Sequence, residues 1–518
     1  MSAAAPASGL ARRLFENTLH SASGRLASLA LWVLFTPPIL RALGSERFAI
    51  WSLFYALTGY LAAFDFGLAQ GTLRFVAAAR ARGDHDDAGT FATLALLGYG
   101  TLALIWAALA TLLAGTIVGW LRVPPALADS ACFAIQLGAL VFLLSGVANV
   151  TMAATQGYGR FDLANLTLVT TTVAQAAGLL LVLRRGLGLE GFVLSVAVAA
   201  TLGAAMGLLL LRWRVPGFRW ASPGRAWGRV GPALRFGVPM QATNLLAVMN
   251  AQMDKLLLAR FAGLSMVTVY ELGSRVAVSV TSLPQLVLLP VMAEAASMSA
   301  AGERERLRSL YDRGSRYFLT LAAVCVAPLL AAGPRLYAAW LGGPHPEATL
   351  ALRGLTLAAA LTLATGMATT IARGVGRTEF EAWFATTTVA LHLALSLLLM
   401  PTLGLRGALI ASMVSHAVGS LLFMGLFSRL MQWPLFGEVL RPWARPALAV
   451  LGGWAAGAAL DRALPGSAGA AGWMVLLVVA LTSGLVTLGL TIATRFFHWD
   501  EARRMLLGRF GAAVADGG

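Results

Sequence analysis

Apolar runs of about 20 residues, long enough as helix to cross a bilayer core, recur along this chain from Leu26 to Thr491. No polar segment between them is long enough to fold as a soluble domain. In lipid every backbone polar group must bond within the protein, which leaves helices and closed barrels as spanning structures. Runs of this length select helices. Only 12% of the 518 residues are charged, against roughly 25% in a soluble domain. The reading is an all-α polytopic membrane protein with about fourteen spans, or about twelve if the weak C-terminal ones fail.

The net charge of +16 does not point to nucleic acid. With the N-terminus inside, 26 of the 39 basic residues fall in inside segments, notably 212–235, 304–316 and the tail with Arg503 and Arg504. That asymmetry is the positive-inside signal and places both termini on the cytoplasmic side. Cys132 and Cys325 both lie in apolar spans and suggest neither a disulfide framework nor a metal site. Arg12-Arg13 is not followed by a compact apolar segment and cleavage site, so the first span is retained as a helix.

The chain repeats itself. Gln156-Gly157-Tyr158-Gly159-Arg160-Phe161-Asp162 leads into Thr170-Thr171-Thr172 and then Gly188-Leu189-Glu190-Gly191. Arg373-Gly374-Val375-Gly376-Arg377-Thr378-Glu379 leads into Thr386-Thr387-Thr388 and then Gly404-Leu405-Arg406-Gly407, at an offset of 217 that slips to 216. Trp51 aligns with Tyr270 at offset 219. Each copy holds about six helices, and an even number gives both copies the same orientation. The domains read as an N-lobe at 1–212, a basic linker at 213–231, a C-lobe at 232–429, and two further spans with a tail at 430–518. The linker suits either the anionic leaflet surface or a solvated loop.

Ionisable groups within spans are expensive and are therefore functional candidates. On the seventh span Gln241, Asn244, Gln252 and Lys255 fall within an arc of about 80°, with Asn250 and Asp254 on the opposite side. On the eighth, Glu271 and Arg275 are spaced i,i+4 to pair. On the first, Arg25, Ser28 and Thr36 cluster, and at offset 219 Arg25 maps onto Asn244 and Thr36 onto Lys255. Such stripes line a hydrated cavity or satisfy one another between helices. Asp65 and Arg74 suit a gate or ion-coupling role, although Asp65 also suits a helix–helix bond. His392 and His416 read as packed groups. Pro37 and Pro38 in the first span, and Pro284 and Pro290 in the eighth, bend their helices.

The stretches 43–84, 253–275 (MDKLLLARFAGLSMVTVYELGSR) and 374–384 (GVGRTEFEAWF) resemble bacterial polysaccharide flippases. These belong to the superfamily of multidrug, oligosaccharidyl-lipid and polysaccharide exporters. The resemblance implies two six-helix bundles in a V-shaped transporter, plus about two C-terminal helices, in a bacterial inner membrane. It implies a translocase for an undecaprenyl-pyrophosphate-linked oligosaccharide in cell-surface polysaccharide biosynthesis, such as O-antigen or exopolysaccharide, working by alternating access. Membrane lipids, and polysaccharide polymerase machinery, are the other implied partners.

On that reading Arg25, Lys255 and Arg275 grip pyrophosphate while Ser28, Gln241, Asn244 and Gln252 meet the sugars. Asp65, Arg74 and Glu271 are the gating or coupling candidates. A lipid II flippase and a cation-coupled multidrug exporter remain alternatives. No resident cofactor or metal is expected, a sodium ion or proton being the coupling ion. A glycan polymerase needs large outer loops bearing catalytic groups, and the outer loops here are short.

Overall fold

A computed structural model describes residues 7–465 and 469–497, with side chains from residue 33 onward except at a few later helical positions. The described residues form helices and no strand. The chain divides into two compact units, Met1–Thr268 and Val269–Gly518.

In the first unit α1 (Ala7–Ala63) is interrupted at Gly44, whose φ of 73° is open to glycine and strained for other residues. Then follow α2 (Leu68–Ala81), α3 (His85–Trp120), α4 (Pro125–Gly157), α5 (Phe161–Arg185), α6 (Gly188–Arg214), the short α7 (Pro223–Trp227) and α8 (Val230–Phe261). Helix α4 packs on α3 and α6, α5 on α6, α2 on α3 and α4, and α8 on α1 and α2. Packing therefore places α8 in the first unit, although the repeat groups its residues with the later helices. The outward faces stay apolar: Leu166, Leu168, Val169 and Val173 of α5 are all exposed, as lipid-facing residues are in a bilayer.

The basic linker is anchored on the start of α3. Asp84 caps that helix, its side chain accepting from the Asp87 N–H at 2.9 Å. Asp86 and Asp87 in the first turn suit the helix dipole, and they also bind the linker: Arg229 pairs with Asp87 at 2.7 Å and Arg225 with Asp86 at 3.5 Å. A Cβ on Gly89 would lie 1.7 Å from the Arg219 carbonyl oxygen, so only glycine admits this crossing.

Helix α9 (Leu264–Thr281) straddles the boundary. The second unit continues with a 3-10 turn at Pro284–Val287, α10 (Leu288–Ala300), α11 (Arg304–Leu341), α12 (Pro346–Ala364), α13 (Gly366–Gly374), α14 (Glu379–Leu403), α15 (Leu405–Met431), a π-turn at Leu435–Val439, α16 (Arg441–Ala463) and α17 (Gly469–Ala493). Pro284 starts the 3-10 turn that interrupts the eighth span, the expected bend. Helices α16 and α17 pack on α11 and on each other. Arg335 of α11 ties down the far end of α16: its Nε bonds Asp461 Oδ1 at 2.6 Å, and its Nη2 donates to the Asp461 and Leu464 carbonyls, each at 2.7 Å.

The repeat holds at the level of single hydrogen bonds. After α4 the N–H groups of Tyr158, Gly159 and Arg160 donate to the carbonyls of Ala154, Gln156 and Thr155. After α13 those of Val375, Gly376 and Arg377 donate to Ile371, Arg373 and Ala372, the same pattern at the same offset. Gly159 and Gly376 take left-handed φ values of 76° and 84°, and Arg160 and Arg377 pair with Asp162 and Glu379. The Thr triplets also have matching roles. A Cβ on Gly203 of α6 would lie 2.2 Å from Thr171 Oγ1 of α5, and one on Gly419 of α15 would lie 2.1 Å from Thr388 Oγ1 of α14.

Every expected span has a helix beneath it, but apolarity gives a lower count than fourteen. Among the described residues ten helices are long and apolar enough to cross a membrane, or eleven if the pair Val33–Ala63 and Leu68–Ala81, bent by 44°, is one span. Helices α8 and α16 are not among them. Amides and charges dilute the middle of α8, and Arg441, Arg445, Asp461 and Arg462 sit at the ends of α16. The chain is a multi-pass membrane protein.

Candidate functional site

The first polar assembly is built where α8 meets the break between α1 and α2. Past Ala63 the chain makes tight turns, and Phe66 and Gly67 take left-handed φ values of 51° and 66°. A bulky residue in that region stores roughly 1–3 kcal/mol of strain and persists only where its surroundings hold it. Asp65 does so from within: Oδ1 accepts from the Gly67 N–H at 2.8 Å, and Oδ2 from the Tyr99 hydroxyl of α3 at 2.9 Å. Gln241 does so from α8, its Nε2 donating to the Ala63 carbonyl at 2.7 Å and its Oε1 accepting from the Phe66 N–H at 3.0 Å. One turn earlier, Gly237 admits the Phe66 carbonyl, which a Cβ would meet at 1.9 Å.

Further along α8, Asn244 and Gln252 are half-buried, and Gln252 lies against Gly59 of α1. Its Oε1 is buried and has no partner among the described residues. Lys255 is 6% exposed, and Asp254, which helical phase sets off the stripe, is 2% exposed. Asp254 is close enough to act on the Tyr60 hydroxyl of α1. Adjacent buried charges of opposite sign on one helix are costly to keep. Arg25 and Ser28 belong to α1, but their side chains lie outside the described residues.

The second assembly is on α9. Glu271, 2% exposed, pairs with Arg275, 20% exposed, one turn on, in the i,i+4 geometry read from the spacing. Gly273 on the opposite face lies against the backbone of α12, where a Cβ would be 2.7 Å from the Leu352 nitrogen. The Tyr337 hydroxyl of α11 donates to the Leu272 carbonyl at 3.1 Å. One side of α9 is thus fixed in the bundle while the other carries the charges.

Arg74 is exposed on α2, its guanidinium carbon 5.7 Å from the Phe75 ring. His392 is buried with its ring centroid 6.1 Å from that of His416. Among the described residues no cluster of three or more His, Cys, Asp or Glu is placed to hold a metal. Two residues of the first assembly escape sequence reading. Tyr99 is one hydroxyl in a long apolar run, and Gly237 is one glycine among many. The only signal was the spacing of Gly237 and Gln241, four apart on one helical face.

The two units share matching turns, and the first unit adds a bent α1–α2 pair and a polar α8. In a lipid II flippase, MurJ in an inward closed conformation, 98% of the chain overlays 92% of this one at 12% identity with a TM-score of 0.67. In an inward-facing multidrug resistance MATE family transporter of the MOP superfamily, 96% of that chain overlays 78% of this one, at 19% identity and a TM-score of 0.63. The chain has the fold of these two transporters. An outward-facing MATE family transporter overlays at 18% identity, covering 80% of this chain and 95% of its own, with a TM-score of 0.54. A family model described as "Polysaccharide biosynthesis protein" matches residues 127–341, a stretch that holds Lys255, Glu271 and Arg275. No curated protein matches this chain. The family match and this fold agree with the resemblance read from the sequence.

Proposed function

We propose that the protein is a flippase of the inner membrane, with both termini cytoplasmic, that moves an undecaprenyl-pyrophosphate-linked oligosaccharide for cell-surface polysaccharide assembly. Alternate exposure of the headgroup site to the two sides of the membrane is the mechanism, with a sodium ion or proton as coupling ion. Lys255 carries the reading: a cation held at 6% exposure on α8, inside the stretch matched by the polysaccharide biosynthesis family. A pyrophosphate needs such cations, and its sugars need amide and hydroxyl partners, which Gln241, Asn244 and Gln252 supply on the same helix. Arg275 adds a second cation, and Arg25 with Ser28 completes the proposed set. The drug-exporter alternative relies on carboxylates that bind cations. Here Asp65 is engaged by Gly67 and Tyr99, which leaves that carboxylate less suited to a cation.

The test is reconstitution in liposomes with a labelled undecaprenyl-pyrophosphate oligosaccharide, comparing wild type with Arg25→Ala, Lys255→Ala and Arg275→Ala. Transbilayer movement in wild type that falls in the variants, with folding intact, is the expected result. Unchanged movement in all three overturns the site. Absence of movement in wild type together with cation-dependent dye export overturns the substrate class.

A further inference from the structure

At the Arg-rich end of the second unit lies a cavity of about 200 Å³ that the flippase reading leaves unused. Four arginines meet there: Arg316 of α11, Arg441 and Arg445 of α16, and Arg495 just past α17. Asp312 is the one acid in the lining, and it is engaged by Arg316. Arg441, Arg445 and Arg495 make no ion pair with a described residue. Helix α16 begins at Arg441 with no side-chain cap, so the positive end of its dipole adds to the same field. Arg495 takes a left-handed φ of 51°, while its neighbour Phe496 is buried among Phe318, Leu319 and Ala322. That burial holds the backbone at Arg495 beside the mouth.

One turn beyond Arg316 and next to Arg445, an apolar cavity of about 380 Å³ opens between α11, α12, α15 and α16. All of its lining side chains are apolar, and Trp443 stands on its wall near the arginines. From Leu319 to Leu330 it follows α11 for about 16 Å at 1.5 Å per residue. That is about half of a 30 Å hydrocarbon core, the depth of one leaflet.

We propose that the four-arginine mouth and the trough behind it bind one anionic phospholipid of the surrounding leaflet, its phosphate on the arginines and one acyl chain along α11 and α16. Charge complementarity selects an anion, and the leaflet-deep apolar trough selects an acyl chain over a free phosphate. Helix α16 is held at its two ends, by Arg335 on Asp461 and by the Tyr311 hydroxyl on the Val439 carbonyl at 2.8 Å. Between those ties the lipid covers the side of its first half, Trp443 to Leu451, that lines the trough. This site is separate from the polar assemblies of α8 and α9 and does not depend on the transported substrate.

The experiment is native mass spectrometry of the full chain in detergent with phosphatidylglycerol or phosphatidylethanolamine added. Wild type retains phosphatidylglycerol in preference to phosphatidylethanolamine. Arg441→Gln, Arg445→Gln and Arg495→Gln combined weaken phosphatidylglycerol binding on the order of a hundredfold, from about one tenfold step or less per arginine. Because these side chains are exposed and make no ion pair with a described residue, the variant keeps the wild-type lipid-free unfolding temperature. Ala447→Trp, which fills the trough with the arginines intact, lowers retention as well. Equal retention of both lipids, or unchanged phosphatidylglycerol binding in either variant, overturns the proposal. So does displacement of the lipid by inorganic phosphate, or by an equimolar polyprenyl diphosphate, which would make the site a bare anion site or part of the transport path. Flipping activity is measured separately, so loss of one reading leaves the other intact.

Discussion

Gln241 and Phe66, far apart in sequence, meet at a broken helix: the Gln241 side chain accepts from the Phe66 N–H at 3.0 Å while donating to the Ala63 carbonyl at 2.7 Å. A primary amide carries a donor on its nitrogen and an acceptor on its oxygen, so this one side chain meets both backbone groups. A residue read from helical phase as a substrate contact therefore has both polar ends engaged by the backbone that joins α1 to α2. If Gln241 turns to a substrate, the break must lose its clamp, which couples occupancy of α8 to the bend of the second span.

Replacing Gln241 by Leu leaves the Ala63 carbonyl without this donor and the Phe66 N–H without this acceptor. The cost is about 1–3 kcal/mol, read as a lower unfolding temperature in detergent. Gly237→Ala brings a methyl to 1.9 Å from the Phe66 carbonyl oxygen, so α8 must move away from the break.

The two Thr–Gly contacts respond alike because they are copies. Gly203→Ala and Gly419→Ala each overpack a helix pair and cost about 1–3 kcal/mol. Thr171→Ala rescues the first and Thr388→Ala the second, with a coupling energy of about 0.5 kcal/mol or more in a double-mutant cycle. Thr171→Ala does nothing for Gly419→Ala. Equal rescue by either threonine would show that the contacts are not what sets the cost.

Arg335 and Asp461, 15% and 18% exposed, hold α16 against α11. Removing either side chain alone costs about 3–5 kcal/mol, whereas removing both costs less than the sum of the two. The check is the unfolding temperature in detergent, measured for the two single variants and the double variant.

Lys255→Met removes a buried cation while conserving most of the aliphatic stem. Flipping is expected to fall by about tenfold or more, equivalent to about 1.4 kcal/mol, whereas Arg184→Gln with Arg185→Gln, at the end of α5, leaves the rate unchanged. A rate equally sensitive to both variants would point to net charge and away from a site at Lys255.

The features legible along the chain were those carried by local chemistry. The Gly-x-Gly-Arg turns, the Thr triplets and the Glu271–Arg275 pair depend on neighbours within a turn or two, so their spacing discloses them. The α8 stripe was legible as a direction on a helix, but helical phase alone ranked Asp254 below Lys255 although the two are similarly buried. Phase reports which residues share a face and is silent on which face the neighbours cover.

What this sequence determined by itself was the class of structure: apolar runs longer than a bilayer core leave the backbone no partners except its own, and the result is a set of helices repeated at an offset of 217. Tertiary structure alone decided that α8 packs with the first unit, that the linker sits on Asp86 and Asp87, that Tyr99 and Gln241 hold the break at Phe66, and that four arginines converge beside an apolar trough. Each of these joins residues from separate helices through side-chain contacts a few ångströms long. No periodicity within one helix encodes the distance to another, so such contacts exist only once the helices are packed.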